Sequence, residues 1–317
     1  MDETAMELGK SGYRLLPLGI GCWAWGDRLF WGYGRHYDRE DTRQAFQISL
    51  EQGIRFFDTA EVYGFGQSEK LLGDFLQELG QGKQLLIATK FFPYPWRLTS
   101  GAIVQALRSS LRRLNLSSVD LYQIHWPRPP TRVRLWMEGM AAAVQEGLVR
   151  AVGVSNFNAE LTQRAHETLA RRGISLATNQ VQYNLLDRSL EQTGLDRVCR
   201  DLGVTVIAYS PLAQGLLTGK YSPQNPPSGL YRQRRWGPAL RRLSPLMGIL
   251  RELGQAHGGK TPGQVALNWL ICKGTLPIPG AKNATQAREN AGALGWRLTS
   301  QELALLDDAS STSPIEA

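Results

Sequence analysis

The chain has 317 residues, of which 42% are hydrophobic and 20% are charged, with a formal net charge of +8. This composition excludes a disordered or low-complexity protein and is typical of a globular one. No apolar run approaches the roughly 18 residues that span a bilayer, and the polar N-terminus lacks the apolar segment of a signal peptide, so we expect a cytoplasmic protein with no membrane partner.

Eight short apolar runs alternate with longer helical patterns along the chain. The runs have the composition of buried strands and cover residues 18–23, 54–60, 85–90, 120–126, 149–156, 177–183, 204–211 and 275–280. The helical patterns cover residues 41–52, 68–79, 100–114, 133–146, 159–172, 190–202, 261–273 and 285–294. This α/β pattern favours a (β/α)8 TIM barrel over an open doubly wound sheet. We predict a single barrel domain over residues 1–317, with a long loop after the seventh strand and a C-terminal helical extension.

Two connections bear on function. The first strand gives Gly19-Ile-Gly21 and then Cys-Trp-Ala-Trp, so the Gly-x-Gly-x-x-Gly turn of a Rossmann domain is absent. After the seventh strand, residues 213–244 form a Gly/Pro/Arg-rich connection far longer than usual. Because it follows a strand, we expect it at the end of the barrel where active sites are built.

Much of the positive charge lies in this connection. Its basic run, with no acidic residue inside it, comprises Arg232, Arg234, Arg235, Arg241 and Arg242. A nucleic-acid interface would spread such residues over a face with stacking aromatic side chains. We therefore expect a solvated loop, or a loop over an anionic cofactor, and no nucleic-acid partner.

Four titratable residues follow successive predicted strands. Asp58 ends the second strand and Tyr63 comes soon after it, Lys90 ends the third strand, and His125 ends the fourth. Singly, each has an ordinary structural interpretation, such as a helix cap or a buried histidine. Together they predict a proton-transfer site: an ammonium lowers the tyrosine pKa from its ordinary value near 10, a carboxylate holds the ammonium, and the histidine orients a carbonyl.

Other chemistries have little support. No Gly-x-Ser-x-Gly nucleophile turn is present. The four histidines are scattered along the chain, which predicts no metal site. We expect free thiols, because no paired spacing links Cys22, Cys199 and Cys272.

Seven segments, in order along the chain, resemble a known family. FFDTAEVYG, ATKF, QIHWP, GVSNF, NQVQYN, AYSPL and IPGAKNATQAREN are similar to the successive signatures of the aldo-keto reductase superfamily. The resemblance implies a barrel that binds NADP(H) in extended form, without a Rossmann domain, and that reduces aldehydes or ketones to alcohols.

The resemblance also implies roles for individual residues. Tyr63 corresponds to the general acid, Lys90 and Asp58 to the pair that tunes it, and His125 to the group that orients the carbonyl. The implied NADP(H)-binding residues are Gly21 and Trp23, the carboxamide-binding Ser155, Asn156 and Gln180, the stacking Tyr209, the pyrophosphate-side Ser210, Pro211, Leu212, Gln214, Gly215, Leu217 and Lys220, and the adenosine-phosphate end Ile278, Pro279, Gly280, Lys282, Gln286, Glu289 and Asn290. Lys282 is the expected partner of a 2′-phosphate.

The chain departs from the common family pattern at the adenosine-phosphate end. Many members have a Lys-Ser pair in place of Gly280-Ala281 and an arginine in place of Gln286. The version here is similar to the branch that contains potassium-channel β-subunits and several plant and bacterial reductases. An NADP(H)-binding regulatory subunit with slow turnover is therefore the alternative function, and a barrel enzyme acting on a phosphorylated sugar is another. The intact set of four titratable residues favours a reductase.

A closer resemblance concerns the substrate. GCWAWGDRLFWGYG, YPWRLTSG, LVRAVGVSNF and ICKGTLPIPG are similar to plant and cyanobacterial-type reductases, a group that includes plant pyridoxal reductase. This implies a small-molecule carbonyl substrate, such as the aromatic aldehyde pyridoxal, and we expect a monomer or weak homo-oligomer. The expected pocket residues are Trp23, Trp25, Trp31, Phe65, Tyr94, Trp96 and Trp126.

Overall fold

A computed structural model of the protein describes residues 5–80, 84–128, 132–222, 224–226 and 240–311. The strands are β1 (Met6–Glu7), β2 (Arg14–Leu15), β3 (Gly19–Gly21), β4 (Phe56–Asp58), β5 (Leu86–Phe91), β6 (Val119–Ile124), β7 (Val149–Ser155), β8 (Leu176–Gln182), β9 (Thr205–Tyr209) and β10 (Leu276–Pro277). The helices are α1 (Arg39–Glu51), α2 (Gln67–Leu79), α3 (Gly101–Leu114), α4 (Val133–Gln145), α5 (Ala159–Ala170), α6 (Ser189–Gln192), α7 (Leu195–Leu202), α8 (Ser244–Ala256), α9 (Pro262–Cys272), α10 (Ala284–Ala291) and α11 (Ser300–Ser311).

Strands β3 to β10 form one parallel sheet in which each strand pairs with the next along the chain. The sheet closes where Gly21 forms a parallel bridge with Gly280, the Gly21 N–H donating to the Pro279 carbonyl at 3.0 Å. Glycine permits this approach because a Cβ on Gly21 would lie 2.9 Å from the carbonyl oxygen of Ile278. The predicted barrel is confirmed, and each of the eight predicted runs overlaps a strand, with bounds that agree to within a few residues.

The predicted helices are also present. Capping boxes at Asp38 and Thr261 begin α1 and α9, each side chain accepting from the backbone of the first helical turn. The single helix predicted over 190–202 is divided into α6 and α7 at Gly194, whose φ of 71° is outside the helical region. The C-terminal extension is α11, where Asp307 accepts a hydrogen bond from the Trp269 indole of α9 at 2.9 Å.

Strands β1 and β2 form a short antiparallel hairpin, which packs against side chains that the barrel strands direct inward. Leu8 and Leu15 are buried in one cluster with Phe56 of β4. In the connection between β1 and β2, the hydroxyl of Tyr13 donates a hydrogen bond to the carboxylate of Asp120 in β6 at 2.8 Å. No element is predicted here from the sequence, because two-residue strands are too short to show a periodicity.

The described parts of the long connection after β9 contain a 3₁₀ turn that the sequence does not predict, and the connection leads into a further helix. It begins with a 3₁₀ turn over Ala213–Thr218, and α8 begins at Ser244. Helix α8 buries Leu246 and Leu250 on one face. The arginines at 232, 234 and 235 lie outside the described residues. No helix in the described part of the chain is both long enough and apolar enough to cross a membrane.

Candidate active site

A buried ion pair lies at the carboxyl ends of β4 and β5. The side chains of Lys90 and Asp58 are 0% and 2% exposed. The Lys90 ammonium donates to the Asp58 carboxylate, to the Thr59 carbonyl at 2.9 Å and to the Tyr63 hydroxyl at 3.3 Å. Its three N–H donors therefore have three acceptors, as a buried cation requires. The structure brings the predicted Asp58, Lys90 and Tyr63 together.

Two buried amides hold the second oxygen of the Asp58 carboxylate. Gln123 Nε2 donates to Asp58 Oδ2 at 3.1 Å, and Gln180 Nε2 donates to the same oxygen at 2.9 Å. The Thr178 hydroxyl donates to Oε1 of Gln123 at 3.3 Å. Gln123 is missing from the sequence-based set, although it lies two residues before His125 and so points to the same side of the strand region.

The pKa of Tyr63 is raised above its ordinary value of 10.0. Burial of the phenol is the largest cause, because burial disfavours the charged phenolate. The Lys90 ammonium lowers the pKa by a smaller amount, and Asp58 raises it. Lys90 therefore acts in the predicted direction, but burial of the phenol outweighs it and the net shift of the pKa is upward. The phenol keeps its proton at neutral pH, which suits a proton donor.

Tyr63 begins a tight turn that packs against the loop after β3. Gly64 and Gly66 have φ values of 54° and 86°, a conformation that glycine adopts at little cost. A Cβ on Gly64 would lie 2.7 Å from the carbonyl oxygen of Gly26. The two loops therefore meet backbone to backbone, and the Tyr63 and Trp23 ring centroids lie 6.2 Å apart.

His125 follows β6 and packs edge-on against Tyr63, with ring centroids 5.5 Å apart. Burial, together with nearby Lys90 and Arg128, lowers the His125 pKa well below 6.5, so the ring is neutral. Its Nδ1 is buried and has no hydrogen-bond partner among the residues described. Because Nδ1 has no acceptor for a proton, we infer that Nε2 carries it. That N–H can serve a carbonyl oxygen in the cavity that His125 and Tyr63 both line.

Acid is expected to destabilise the fold through His125. Below about pH 6.5 the unfolded chain binds a proton at this residue that the folded chain, with its lowered pKa, does not bind. The stability present above this pH is therefore lost as the pH falls, by up to about 1.4 kcal/mol per pH unit. Urea unfolding should show a steeper pH dependence for the wild type than for His125→Gln. Parallel profiles for the two proteins would contradict a neutral buried ring.

A cavity of about 500 Å³ extends from Tyr63 to Gln286. Every predicted NADP(H)-binding residue lines it except Leu217. The side chain of Leu217 is fully buried in the hydrophobic core and does not line the cavity. The lining residues that the sequence analysis missed are small or apolar, and their chemistry gives no signal: Ala24, Thr218, Gly263 and Leu267.

The ends of β7 and β9 form a hydrogen-bonded wall of this cavity. The Tyr209 hydroxyl donates to Asn156 Oδ1 at 3.0 Å, and Asn156 Nδ2 donates to the His125 carbonyl at 3.1 Å. The Ser155 hydroxyl donates to the Gln180 carbonyl at 2.7 Å. Burial raises the pKa of Tyr209 to about 12, so its hydroxyl stays neutral. These contacts fix the Tyr209 ring as a flat surface beside Tyr63 and His125.

The loop after β9 has an unusual backbone. Ser210, Ala213 and Gln214 have φ values of 50°, 46° and 53°, and Gly215 has a φ of 96°. Positive φ is uncommon for residues other than glycine and is concentrated at functional sites. Turns with left-handed residues gather backbone N–H groups into concavities that bind anions. This part of the cavity wall is therefore a tight turn of left-handed residues, a conformation that is common at functional sites.

Aromatic side chains form the wall nearest Tyr63. Trp23, Trp31 and Trp126 line the cavity, and the rings of Trp23 and Trp31 meet edge to face with centroids 5.4 Å apart. The prediction that Trp25 belongs to this wall is wrong. It is fully buried among phenylalanine rings, and its indole N–H donates to the Ala281 carbonyl at 2.8 Å.

Three other predicted pocket residues do not line the cavity. Phe65 is 91% exposed and Trp96 is 71% exposed. Trp96 stacks on Tyr94 with centroids 4.7 Å apart, and an ion pair between Arg97 and Glu61 holds their loop. In this structure the side chains of Phe65, Tyr94 and Trp96 therefore lie outside the cavity wall, exposed to solvent or packed on each other.

Comparisons with known proteins identify a family model that matches the chain and several similar proteins. Residues 17–311 match the model of the Aldo/keto reductase family. The chain is 45% identical over 314 residues to the chloroplastic pyridoxal reductase of Arabidopsis thaliana, which covers 94% of this chain and 84% of that protein. It is 34% identical over 321 residues to L-glyceraldehyde 3-phosphate reductase of Escherichia coli, covering 94% and 90%. A crystal structure of an aldo/keto reductase from Klebsiella pneumoniae in complex with NADP and acetate superposes with a TM-score of 0.74 and 28% identity, covering 99% of this chain and 97% of that one.

Proposed function

The chain belongs to the aldo/keto reductase family, and from this premise we propose that it is an NADP(H)-dependent reductase that converts aldehydes to alcohols. Tyr63 donates the proton, His125 orients the carbonyl, and the substrate is a small aromatic aldehyde such as pyridoxal. The observation that carries the proposal is the buried Asp58–Lys90 pair, which places its ammonium 3.3 Å from the hydroxyl of Tyr63 at the wall of the cavity.

The cavity suits NADP(H) along its whole length. The fixed ring of Tyr209 offers a stacking surface for the nicotinamide. The amide nitrogen of Gln180 donates a hydrogen bond to Asp58. Its amide oxygen can therefore accept a hydrogen bond from a donor in the cavity. We assign the pyrophosphate to the left-handed turn after β9 and a 2′-phosphate to the ammonium of Lys282, because both line the cavity. When bound, NADPH supplies the hydride that reduces the carbonyl carbon.

The protein's own side chains supply the proton and stabilise the charges that develop during the reaction. Tyr63 donates its hydroxyl proton to the carbonyl oxygen as negative charge develops there. The Nε2–H of His125 donates to the same oxygen and stabilises that charge. The Lys90 ammonium stabilises the phenolate that remains on Tyr63, and Asp58 keeps the ammonium in place. Solvent then returns the proton to Tyr63.

The aromatic wall supports a flat, uncharged substrate. The rings of Trp23 and Trp126 line the cavity on the side of Tyr63 and His125. Contacts between aromatic rings contribute about 0.5–1.5 kcal/mol beyond their buried area. The Arabidopsis relative is named for pyridoxal, which is an aromatic aldehyde. We therefore expect an uncharged aromatic aldehyde to be preferred over a phosphorylated sugar.

Steady-state oxidation of NADPH with a panel of aldehydes tests this function. The panel should include pyridoxal, benzaldehyde and glyceraldehyde 3-phosphate, with NADPH binding measured separately by fluorescence. We expect the highest kcat/KM for pyridoxal or another uncharged aromatic aldehyde. Binding of NADPH without oxidation by any aldehyde would instead support a regulatory subunit. Absence of NADPH binding would overturn the proposal altogether.

A further inference from the structure

The ammonium of Lys282 lies against two aromatic rings, those of Trp31 and Tyr37. Its Nζ is 4.3 Å from the ring centroid of Trp31 and 5.0 Å from that of Tyr37. Both distances are within the roughly 6 Å over which a cation is attracted to an aromatic face. A neutral ring carries no negative charge, so these contacts orient the ammonium without cancelling its charge.

The backbone of Lys282 is fixed on both sides. The buried Trp25 indole donates to the carbonyl of the preceding Ala281 at 2.8 Å. The N–H of Lys282 itself donates to Oε1 of Gln286 in α10 at 2.9 Å. Gln286 therefore holds the backbone from which the Lys282 side chain extends, which is a positioning role that an arginine at this place could not fill, because a guanidinium has no acceptor.

The loop that supplies the two rings has its own internal support. The Asp27 carboxylate accepts from the backbone N–H groups of Phe30 and Trp31 at 2.7 and 3.1 Å. Tyr37 is 6% exposed, and its hydroxyl donates to the carbonyl of Ala24. None of these hydrogen bonds involves Lys282, so the loop itself holds the rings in place.

We propose that Trp31 and Tyr37 determine the preference of this site for NADPH over NADH. The inference rests on the proposed NADP(H)-dependent function. Trp31 and Lys282 both line the cavity. The two rings hold the Lys282 ammonium at the cavity wall, so a bound 2′-phosphate contacts a cation that is already positioned. NADH lacks this phosphate and gains nothing from the arrangement. Selectivity then depends on the loop after β3 as well as on Lys282.

A double-mutant cycle on the full chain tests this proposal, with dissociation constants for NADPH and NADH measured by fluorescence titration. We expect Lys282→Met to weaken NADPH binding by about tenfold to a hundredfold and to change NADH binding little. Trp31→Leu is expected to weaken NADPH binding by about fivefold without a matching loss for NADH. In the Lys282→Met background, Trp31→Leu should affect the two nucleotides equally. Trp31→Phe, which retains a ring, should keep most of the preference.

Leu29→Ala is the matched control, because it removes an apolar side chain on the same loop that is 86% exposed and absent from the cavity wall. It should leave the NADPH-to-NADH ratio unchanged. An equal loss for both nucleotides in Trp31→Leu, or the same selective loss when Lys282 is already methionine, would overturn the proposal. If the wild type binds NADPH, the proposed cofactor stands even when the role of Trp31 fails, so the two failures are distinguishable.

Discussion

Replacing Tyr63 by phenylalanine is expected to remove most carbonyl reduction and to leave NADPH binding intact. The substitution removes one hydroxyl and keeps the ring that packs against Trp23 and His125. Loss of a positioned general acid typically costs about 10²- to 10⁴-fold in rate. We therefore expect kcat to fall by that range in Tyr63→Phe, while the dissociation constant for NADPH changes by less than about twofold.

The pH dependence and a matched control sharpen this prediction. Because burial raises the Tyr63 pKa above 10.0, deprotonation of this phenol should not reduce the wild-type rate anywhere between about pH 6 and 9. Tyr13→Phe removes a hydroxyl from the N-terminal hairpin that is not part of the cavity lining, and should keep full activity. A Tyr63→Phe variant with wild-type turnover would exclude Tyr63 as the proton donor.

Lys90→Met is expected to cost both stability and activity. The ammonium is fully buried and is paired with the equally buried carboxylate of Asp58. Its removal leaves that carboxylate with only the amide donors of Gln123 and Gln180. Breaking a buried pair in this way typically destabilises a protein by about 3–5 kcal/mol. Urea unfolding should show a loss of this size, and turnover should fall because the phenolate of Tyr63 loses its stabilising charge.

Two comparisons separate the charge effect from general damage. Lys273→Met breaks the partly exposed ion pair with Asp307 and should cost no more than about 1 kcal/mol. The double variant Asp58→Asn with Lys90→Met removes both buried charges and should recover stability but not activity. Burial lowers the pKa of Lys90, but Asp58 and Tyr63 together raise it by more, so the net shift is upward. The stabilisation from this pair is therefore present below about pH 10.4 and is lost only as the pH rises through the folded-state pKa.

The barrel and the centre of the site are predictable from the sequence for a physical reason. Parallel strands buried on both faces are apolar throughout, so a titratable residue at the end of such a run is conspicuous. Asp58, Lys90 and His125 each end a strand region in this way, and the structure brings them together at one end of the barrel with Tyr63.

The remaining features depend on packing that no local pattern encodes. Trp23 and Trp25 are two residues apart in one loop, yet one lines the cavity and the other lies in the core. The upward shift of the Tyr63 pKa depends on how deeply the phenol is buried, which outweighs the nearby ammonium. The aromatic contact of Lys282 with Trp31 joins residues from opposite ends of the chain.

A single-turnover experiment tests the central claim most directly. The protein, in excess over NADPH, is mixed with pyridoxal, and the loss of NADPH and the formation of the alcohol are followed together in the wild type and in Tyr63→Phe. We expect the wild type to form one alcohol for each NADPH consumed, and Tyr63→Phe to bind the same NADPH while forming alcohol about 10²- to 10⁴-fold more slowly. Equal rates of alcohol formation in the two proteins would contradict Tyr63 as the proton donor, and NADPH that binds but is never consumed would contradict the reductase function.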